Sequence, residues 1–230
     1  MSTPRLSLTH LTRPPLVEQP GAPPLLLLLH GVGSHEADLF PLAEELDGRF
    51  FVVSARGPNT LRPGAYAWYE VVFAPTGFVI DPEQAEASRQ TLLRFIDELV
   101  AAYSVDPARV YLMGFSQGAI MSLAVALTRP DKVAGVVAMS GRLLPEFRPL
   151  MAAPEALAGL PILVVHGTAD QVMSIRDGRE VRDTLSALPV ALTYREYPMG
   201  HHVTPESLRD VAAWLRERLD EGRDGVERGG

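Results

Sequence analysis

The sequence of 230 residues contains no cysteine, which excludes disulfide bonds, a thiolate nucleophile and cysteine-ligated metal sites. It also lacks any dense block of lysine and arginine, and its formal net charge is −7. An acidic chain of this kind is not expected to bind nucleic acid. The 47% hydrophobic content beside 21% charged residues is typical of an ordinary globular protein with one large core.

Long hydrophobic runs are missing as well. The longest, Leu25–Leu29, is far shorter than the ~18 residues that a membrane-spanning helix needs. The N-terminal stretch has no apolar segment ahead of a small-residue cleavage site, so no signal peptide is predicted. We therefore expect a cytoplasmic protein without a membrane span.

Short apolar runs alternate with segments of helical periodicity. Near-continuous apolar runs suit strands that are buried on both faces of a parallel sheet, and strands that alternate with helices predict a doubly wound, mostly parallel α/β fold. The predicted strands are Leu25–Leu29, Phe50–Ala55, Val110–Phe115, Val133–Ser140, Ile162–His166 and Leu192–Pro198. The predicted helices are Glu36–Leu46, Glu83–Tyr103, Gln117–Leu127, Ile175–Leu188 and Pro205–Leu219.

These elements predict a single domain over residues 21–220, with a loosely ordered segment at 1–20 and a disordered tail at 221–230. The stretch Asn59–Pro82 fits neither period and combines aromatic residues with four prolines, which break regular elements. Two interpretations stay open for it. It is either a long loop with its own hydrophobic cluster or a wall over an apolar substrate pocket.

The segment Gly114-Phe115-Ser116-Gln117-Gly118 is a G-x-S-x-G motif. Five letters alone are weak support, but here a predicted strand ends and a predicted helix begins at the motif. In that setting the serine occupies a sharp, exposed turn and can act as a nucleophile. The alternative is that Ser116 merely caps the helix, a position that serine favours.

A serine nucleophile needs a base that is oriented by an acid, in the chain order serine, acid, histidine on this fold. Asp170 follows the predicted strand at Ile162–His166, and the doublet His201-His202 follows the last strand, so all of them come to one edge of a parallel sheet. Asp170 could instead be a plain turn residue. The nearest competing acid, Asp177, falls inside a helix, while His30 and His166 precede Asp170 in the chain and are predicted to be packed structural residues.

Acyl transfer also needs hydrogen-bond donors aimed at the developing oxyanion. The backbone amide of Gln117, at a helix N-terminus, is one candidate. A second is expected from the loop after an early strand. Glycines at positions 31 and 33 surround Val32 in that loop, so the amide of Val32 is the second candidate.

Six segments in order, LHGVGSHEADL, SARGP, AWYE, GFSQGAIMSL, HGTADQVM and YPMGHHVTPE, resemble the phospholipase/carboxylesterase family of α/β-hydrolases, which includes acyl-protein thioesterases; the bacterial carboxylesterases look most similar. The resemblance implies Ser116 as nucleophile, Asp170 as acid, His201 rather than His202 as base, and the amides of Val32 and Gln117 as oxyanion donors. Trp68, Arg56 and Met173 are candidate substrate-binding neighbours.

The motifs and the resemblance together predict a serine carboxylesterase that hydrolyses short- to medium-chain esters or thioesters of small molecules, without cofactor or metal. A dienelactone-hydrolase-like enzyme is an alternative, although that group usually carries cysteine at the nucleophile position. A catalytically silent small-molecule receptor and a metal site built from His35, Glu36, His201 and His202 are further alternatives. A homodimer stays an open alternative to a monomer.

Overall fold

The computed structural model describes residues 6–74 and 77–227. Its strands are β1 (His10–Arg13), β2 (Leu25–Leu29), β3 (Phe51–Ala55), β4 (Asn59–Arg62), β5 (Ala65–Ala67), β6 (Val71–Ala74), β7 (Gly77–Ile80), β8 (Val110–Phe115), β9 (Gly135–Met139), β10 (Pro161–Gly167) and β11 (Ala191–Tyr197). Its α-helices are α1 (Pro82–Tyr103), α2 (Gln117–Thr128), α3 (Pro154–Leu157), α4 (Ile175–Ser186) and α5 (Pro205–Glu227).

Seven strands form one central sheet in the order β1-β3-β2-β8-β9-β10-β11. All neighbours pair in parallel except β1, which runs antiparallel to β3. The predicted doubly wound, mostly parallel sheet is thereby confirmed. Parallel pairing places the carboxyl ends of β2, β8, β10 and β11 along one edge, where the loops that follow them can meet.

Two hydrophobic cores cover the two faces of this sheet. Side chains alternate between the faces of a strand, so Leu25, Leu27 and Leu29 of β2 join one core while Leu26 and Leu28 join the other. Helices α1, α2 and α4 contribute to the first core, and α5 contributes to the second. Burial on both faces explains why the strands have continuous apolar sequences.

Regular structure occurs in the described parts of both terminal segments. Within the segment 1–20, for which loose order was expected, β1 pairs with β3, and the ring of His10 hydrogen-bonds the Tyr103 hydroxyl at 2.7 Å. Arg13 also donates to the Ala43 carbonyl at 2.7 Å. The expected disordered tail begins inside α5, which continues to Glu227. Partners distant in sequence thus hold residues 10–13, and the final helix extends beyond its apolar pattern.

The stretch Asn59–Pro82 is also more regular than predicted. It forms two antiparallel hairpins, β4–β5 and β6–β7, instead of an irregular loop. Trp68 and Tyr69 pack into the core that covers one face of the main sheet, so they are not part of a separate cluster. A further difference lies at Glu36–Leu46, where a 3₁₀ helix over Phe40–Glu45 replaces the predicted α-helix. Among the described residues, none of the helices has the length and apolarity to cross a bilayer.

Candidate active site

Ser116 lies at the turn between β8 and α2, where its φ of 55° and ψ of −118° fall in a region that residues with a Cβ atom rarely adopt. Its backbone amide donates to the Met139 carbonyl at 2.9 Å, which ties the turn to β9. The side chain makes no capping hydrogen bond to α2. The hydroxyl is therefore available to a partner outside the helix, contrary to the capping alternative.

The two glycines of the motif allow this turn to pack tightly. A Cβ atom on Gly114 would lie 2.2 Å from the Gly118 carbonyl oxygen, and one on Gly118 would lie 1.9 Å from the Leu29 carbonyl oxygen. Both distances are far below van der Waals contact, so a larger residue at either position would displace backbone. The motif thus reflects the close approach of α2 to β2 and β8.

Ser116, His201 and Asp170 form one hydrogen-bonded chain. His201 Nε2 lies 2.9 Å from Ser116 Oγ, and His201 Nδ1 lies 2.7 Å from Asp170 Oδ2. A carboxylate can only accept, so Nδ1 carries the proton and Nε2 is left to accept from the serine hydroxyl. The imidazole ring also packs against Phe115, with 4.8 Å between ring centroids. The structure brings together these three residues that were predicted from widely separated motifs.

Asp170 is held by its own loop as well as by His201. Its Oδ1 accepts hydrogen bonds from the amides of Val172 and Met173, both at 2.9 Å, while only 6% of the residue is exposed. Burial alone would raise the pKa of Asp170, but the hydrogen bonds from His201 and the two amides outweigh it and lower the pKa below its ordinary value. The carboxylate is consequently ionised at neutral pH.

The side chains of the adjacent residues His201 and His202 lie in different environments. His201 reaches the Ser116 hydroxyl, whereas His202 is exposed and its amide bonds the Gly200 carbonyl at 3.0 Å. Thr204 then caps α5, because its hydroxyl accepts from the Ser207 amide at 3.2 Å. This N-cap begins the helix two residues after His202.

The two candidate oxyanion donors lie beside Ser116. Val32 and Gln117 both line the cavity at this serine, and the Gln117 amide is in the first turn of α2, where amides lack an intrahelical partner. The loop that carries Val32 is fixed by Gly33, whose φ is 78° and whose amide donates to the Tyr66 carbonyl at 2.8 Å. This loop is therefore pinned to the first hairpin.

Arg56 and Trp68 are not among the residues that line this cavity, and their contact with substrate stays a prediction. Arg56 makes a bidentate ion pair with Glu36, with 2.6 Å from Nε, and its guanidinium stacks over the Tyr66 ring at 4.3 Å. Trp68 is fully buried and donates from Nε1 to the His30 carbonyl at 2.9 Å. Both residues stabilise the loop after β2.

The cavity at Ser116 is small, with a volume of about 20 Å³. Met173, one of the candidate substrate neighbours, lines it. Tyr69 and Arg142 line it too, and sequence reasoning missed both. Tyr69 stood within the aromatic stretch as a signal, while Arg142 had none, because it follows β9 without any motif.

Gln117 links the cavity to the segment between the hairpins. Its side-chain Oε1 accepts from the Trp68 amide at 2.8 Å, and its Nε2 donates to the Tyr69 carbonyl at 2.7 Å. The residue after the serine thus offers its backbone amide to the cavity and uses its side chain to hold one wall. Sequence reasoning found the first role and missed the second.

His30 and His166 are both fully buried, as packed structural residues. His30 Nδ1 lies 2.7 Å from the Gly31 carbonyl, and its Nε2 accepts from the Gly57 amide at 3.0 Å. His166 Nε2 lies 2.8 Å from the carbonyl of Met173. Each ring therefore supports one of the two loops that face Ser116.

The proposed metal-binding set is not assembled. Among the described residues, no group of three or more histidine, aspartate or glutamate side chains is arranged to hold a metal ion. Glu36, the carboxylate in that set, is bound by Arg56 instead, and His201 is engaged by Ser116 and Asp170. These four residues do not fit a metal site.

A serine at a strained strand-to-helix turn, with an acid and a histidine after later strands of a doubly wound parallel sheet, defines the α/β-hydrolase class. Comparison with known proteins narrows this class. The model of the phospholipase/carboxylesterase family matches residues 15–219. The chain belongs to this family of carboxylic ester hydrolases.

Individual relatives agree with the family. The chain is 31% identical to acyl-protein thioesterase 1 of Gibberella zeae over 142 residues, a match that spans 60% of each protein. It is 27% identical to carboxylesterase SOBER1 of Arabidopsis thaliana, over 84% of this chain and 90% of the relative. The solved carboxylesterase of Bacillus cereus superposes with a TM-score of 0.76 at 25% identity, covering 92% of this chain and 95% of that one.

Proposed function

We propose that the chain is a serine carboxylesterase that works through a covalent acyl-enzyme. The observation that carries this proposal is the hydrogen-bonded chain from Asp170 through His201 to Ser116, at 2.7 and 2.9 Å. Such a chain turns a weakly nucleophilic hydroxyl into a competent nucleophile. A silent receptor would have no need of this alignment, which favours the enzyme.

In the proposed reaction, Ser116 Oγ attacks the carbonyl carbon of the ester while His201 Nε2 takes the hydroxyl proton. Asp170 holds the imidazole in the required tautomer and stabilises the imidazolium. The amides of Val32 and Gln117 stabilise the oxyanion. His201 then gives its proton to the departing alcohol. A water molecule next attacks the acyl-enzyme with His201 as base, and the released acid leaves Ser116 protonated again.

Short- to medium-chain acyl esters remain the expected substrates from the sequence, and thioesters are the second candidate substrate class because one relative is named an acyl-protein thioesterase. We retain the sequence-based expectation of a cytoplasmic enzyme that acts on small-molecule esters. Metal or cofactor has no step in this mechanism.

Pre-steady-state hydrolysis of p-nitrophenyl esters from acetate to decanoate, beside matched acyl thioesters, tests the proposal. We expect a burst of nitrophenol close to the enzyme concentration, and a loss of roughly 10⁴- to 10⁶-fold in kcat for Ser116→Ala with the fold retained by circular dichroism. Unchanged turnover in Ser116→Ala would contradict the serine mechanism. A preference for an added palmitate ester over all the shorter esters would contradict the short- to medium-chain assignment alone.

A further inference from the structure

The volume of the cavity at Ser116 limits what can enter it. A site that holds one water molecule needs about 10–15 Å³, and this cavity has about 20 Å³. It therefore accommodates one group of roughly the size of a methyl. An acetyl ester with its carbonyl carbon at Ser116 has one methyl to place there, whereas every longer acyl chain has more atoms than the cavity holds.

The lining of the cavity indicates which part of the ester enters it. In the proposed reaction His201 protonates the departing alcohol, so the alcohol leaves on the His201 side of Ser116. Val32 and Gln117, the proposed oxyanion donors, line the cavity, and His201 is not among the described residues that line it. The cavity therefore adjoins the acyl side of the reacting carbonyl.

Two walls of this cavity are held by hydrogen bonds of their backbone. Met173 donates from its amide to Asp170 at 2.9 Å, and its carbonyl lies 2.8 Å from His166 Nε2. On another wall, the Tyr69 carbonyl accepts from the Gln117 side chain at 2.7 Å. Displacing either wall would break at least one of these bonds. The small volume is therefore a consequence of the fold around Ser116.

A second small cavity, also of about 20 Å³, lies along α2, and Ile120 lines both cavities. From Ile120 the second cavity continues along one face of the helix past Ala124 and Leu127. These positions span about 10 Å of the helix axis. Its other lining residues, four of them apolar, are Leu143, Leu144, Phe147, Arg148, Met151 and Thr184. The charged one, Arg148, is paired with Glu180 at 3.1 Å.

Ile120 is a rigid partition between the two cavities. It lies one helical turn after Ser116, and its amide donates to the Ser116 carbonyl at 3.1 Å. Only 2% of the residue is exposed. A β-branched side chain in a helix has one strongly preferred rotamer, so Ile120 does not readily turn aside to let a chain pass.

From these observations we infer that Ile120 sets the upper limit of acyl length, and that the enzyme prefers acetyl esters to esters of longer acids. This inference rests on the proposed serine esterase function. A longer straight chain would have to displace the Ile120 side chain from a packed wall. Truncation of Ile120 would instead join the two cavities and open an apolar path along α2.

The test compares the p-nitrophenyl esters of acetate, butyrate and octanoate, which differ only in acyl length. We expect wild type to favour acetate in kcat/KM. Ile120→Ala should raise the ratio of octanoate to acetate by about 10- to 100-fold, the range that one or two methylenes have in an apolar pocket. Ile120→Val removes a single methyl and disturbs the fold least, and it should raise the ratio of butyrate to acetate by a smaller factor.

The matched control is Met121→Ala. Met121 is the next residue of α2 and is fully buried, but it belongs to the lining of neither cavity. Its truncation should leave both ratios unchanged. Leu127→Ala alone should also leave them unchanged, because Leu127 lies beyond the partition, and combined with Ile120→Ala it should extend the accepted chain further.

A second series varies the alcohol instead, from methyl to octyl acetate. Because the alcohol leaves on the other side of Ser116, kcat/KM should depend on its length much less than on acyl length. A limit on alcohol length with none on acyl length would place the alcohol in the cavity and overturn the inference. An unchanged ratio in the Ile120 variants would overturn it too, as would an equal increase in Met121→Ala or Leu127→Ala.

Hydrolysis of p-nitrophenyl acetate by Ser116→Ala separates these failures from a failure of the proposed function. If Ser116→Ala has lost this activity, the serine mechanism stands whatever the chain-length ratios are. If Ser116→Ala hydrolyses acetate normally, the proposed function itself is wrong.

Discussion

Two turns of the molecule share the dipeptide His-Gly but surround its histidine ring with different hydrogen-bond partners. Strand β2 is followed by His30-Gly31, and β10 ends in His166-Gly167, with both imidazoles fully buried. Both nitrogens of His30 have backbone partners, at Gly31 and Gly57. His166 bonds through Nε2 to Met173, and its Nδ1 has no partner among the described residues.

This difference shows that the loops after β2 and β10, which both face Ser116, are held in place by different contacts. The loop after β2, which presents the Val32 amide, depends on a ring that is fully engaged and can exist only as the neutral Nδ1–H tautomer. The loop after β10, which presents Asp170, is held mainly by its own carboxylate, which accepts two backbone amides. The oxyanion side is thus fixed by a buried histidine, and the acid side by the acid itself.

The largest effect is expected from the acid. Asp170→Asn should lower kcat by about 10⁴-fold, because an amide at this position favours the wrong imidazole tautomer, as in the serine-protease precedent for this triad. The matched control is Asp177→Asn, since Asp177 accepts from the Ser174 hydroxyl at 2.6 Å and has no contact with His201. Steady-state kinetics on one short ester measures both. Equal losses in the two variants would contradict the assignment of Asp170.

The two buried histidines should respond unequally to amide substitutes. His30→Asn keeps a donor near Nδ1 but leaves the buried Gly57 amide unpaired, so the free energy of unfolding should fall by about 1–3 kcal/mol. His166→Gln keeps a donor near Nε2 and should lose less than about 1 kcal/mol. Urea unfolding compares the variants. A larger loss for His166→Gln would reverse the comparison between the two turns.

A third variant tests the packing of His166 against α4. A Cβ atom on Gly178 would lie 2.5 Å from Cγ of the His166 ring. Replacing a helical glycine by alanine ordinarily stabilises a protein by about 1 kcal/mol, but here the overpacking should destabilise it by about 1–3 kcal/mol. Thermal unfolding of Gly178→Ala measures the sign. A higher melting temperature would show that the ring moves aside without strain.

The smallest effect concerns pH. Burial lowers the pKa of His30, and the Gly31 carbonyl opposes this only in part. As the pH falls below about 6.5, the His30 ring is protonated in the unfolded chain before it is protonated in the folded chain. Protonation of His30 therefore favours unfolding. The stability advantage of wild type over His30→Asn should therefore shrink between pH 7.5 and 5. An advantage that stays constant, or grows in acid, would show that the ring is not held neutral.

Local patterns in the sequence predicted the parallel sheet, Ser116, Asp170 and the histidine doublet, whereas the choice of His201 over His202 came from the family resemblance. Each strand is a continuous apolar run; Ser116 directly follows one, and Asp170 and the doublet lie a few residues beyond two others. The hairpins were missed because their strands have only three or four residues each, too few to show a clear period in the sequence.

Roles that depend on contacts between residues distant in the chain could likewise not be predicted from the sequence. Trp68 looked like a pocket aromatic, but its indole N–H is committed to the His30 carbonyl. Strand β1 contains only four residues, and a strand this short shows little periodicity. Arg142 belongs to no motif, and its place in the cavity follows from the tight contact between Gly141 and α2.

The central claim is that His201, and not its neighbour, activates Ser116. Labelling of wild type, Ser116→Ala, His201→Ala and His202→Ala with a fluorophosphonate, followed by peptide mass analysis, tests it most directly. We predict an adduct on Ser116 in wild type and in His202→Ala, and none in the other two variants. An adduct that persists in His201→Ala and vanishes in His202→Ala, or its absence from wild type, would contradict the account.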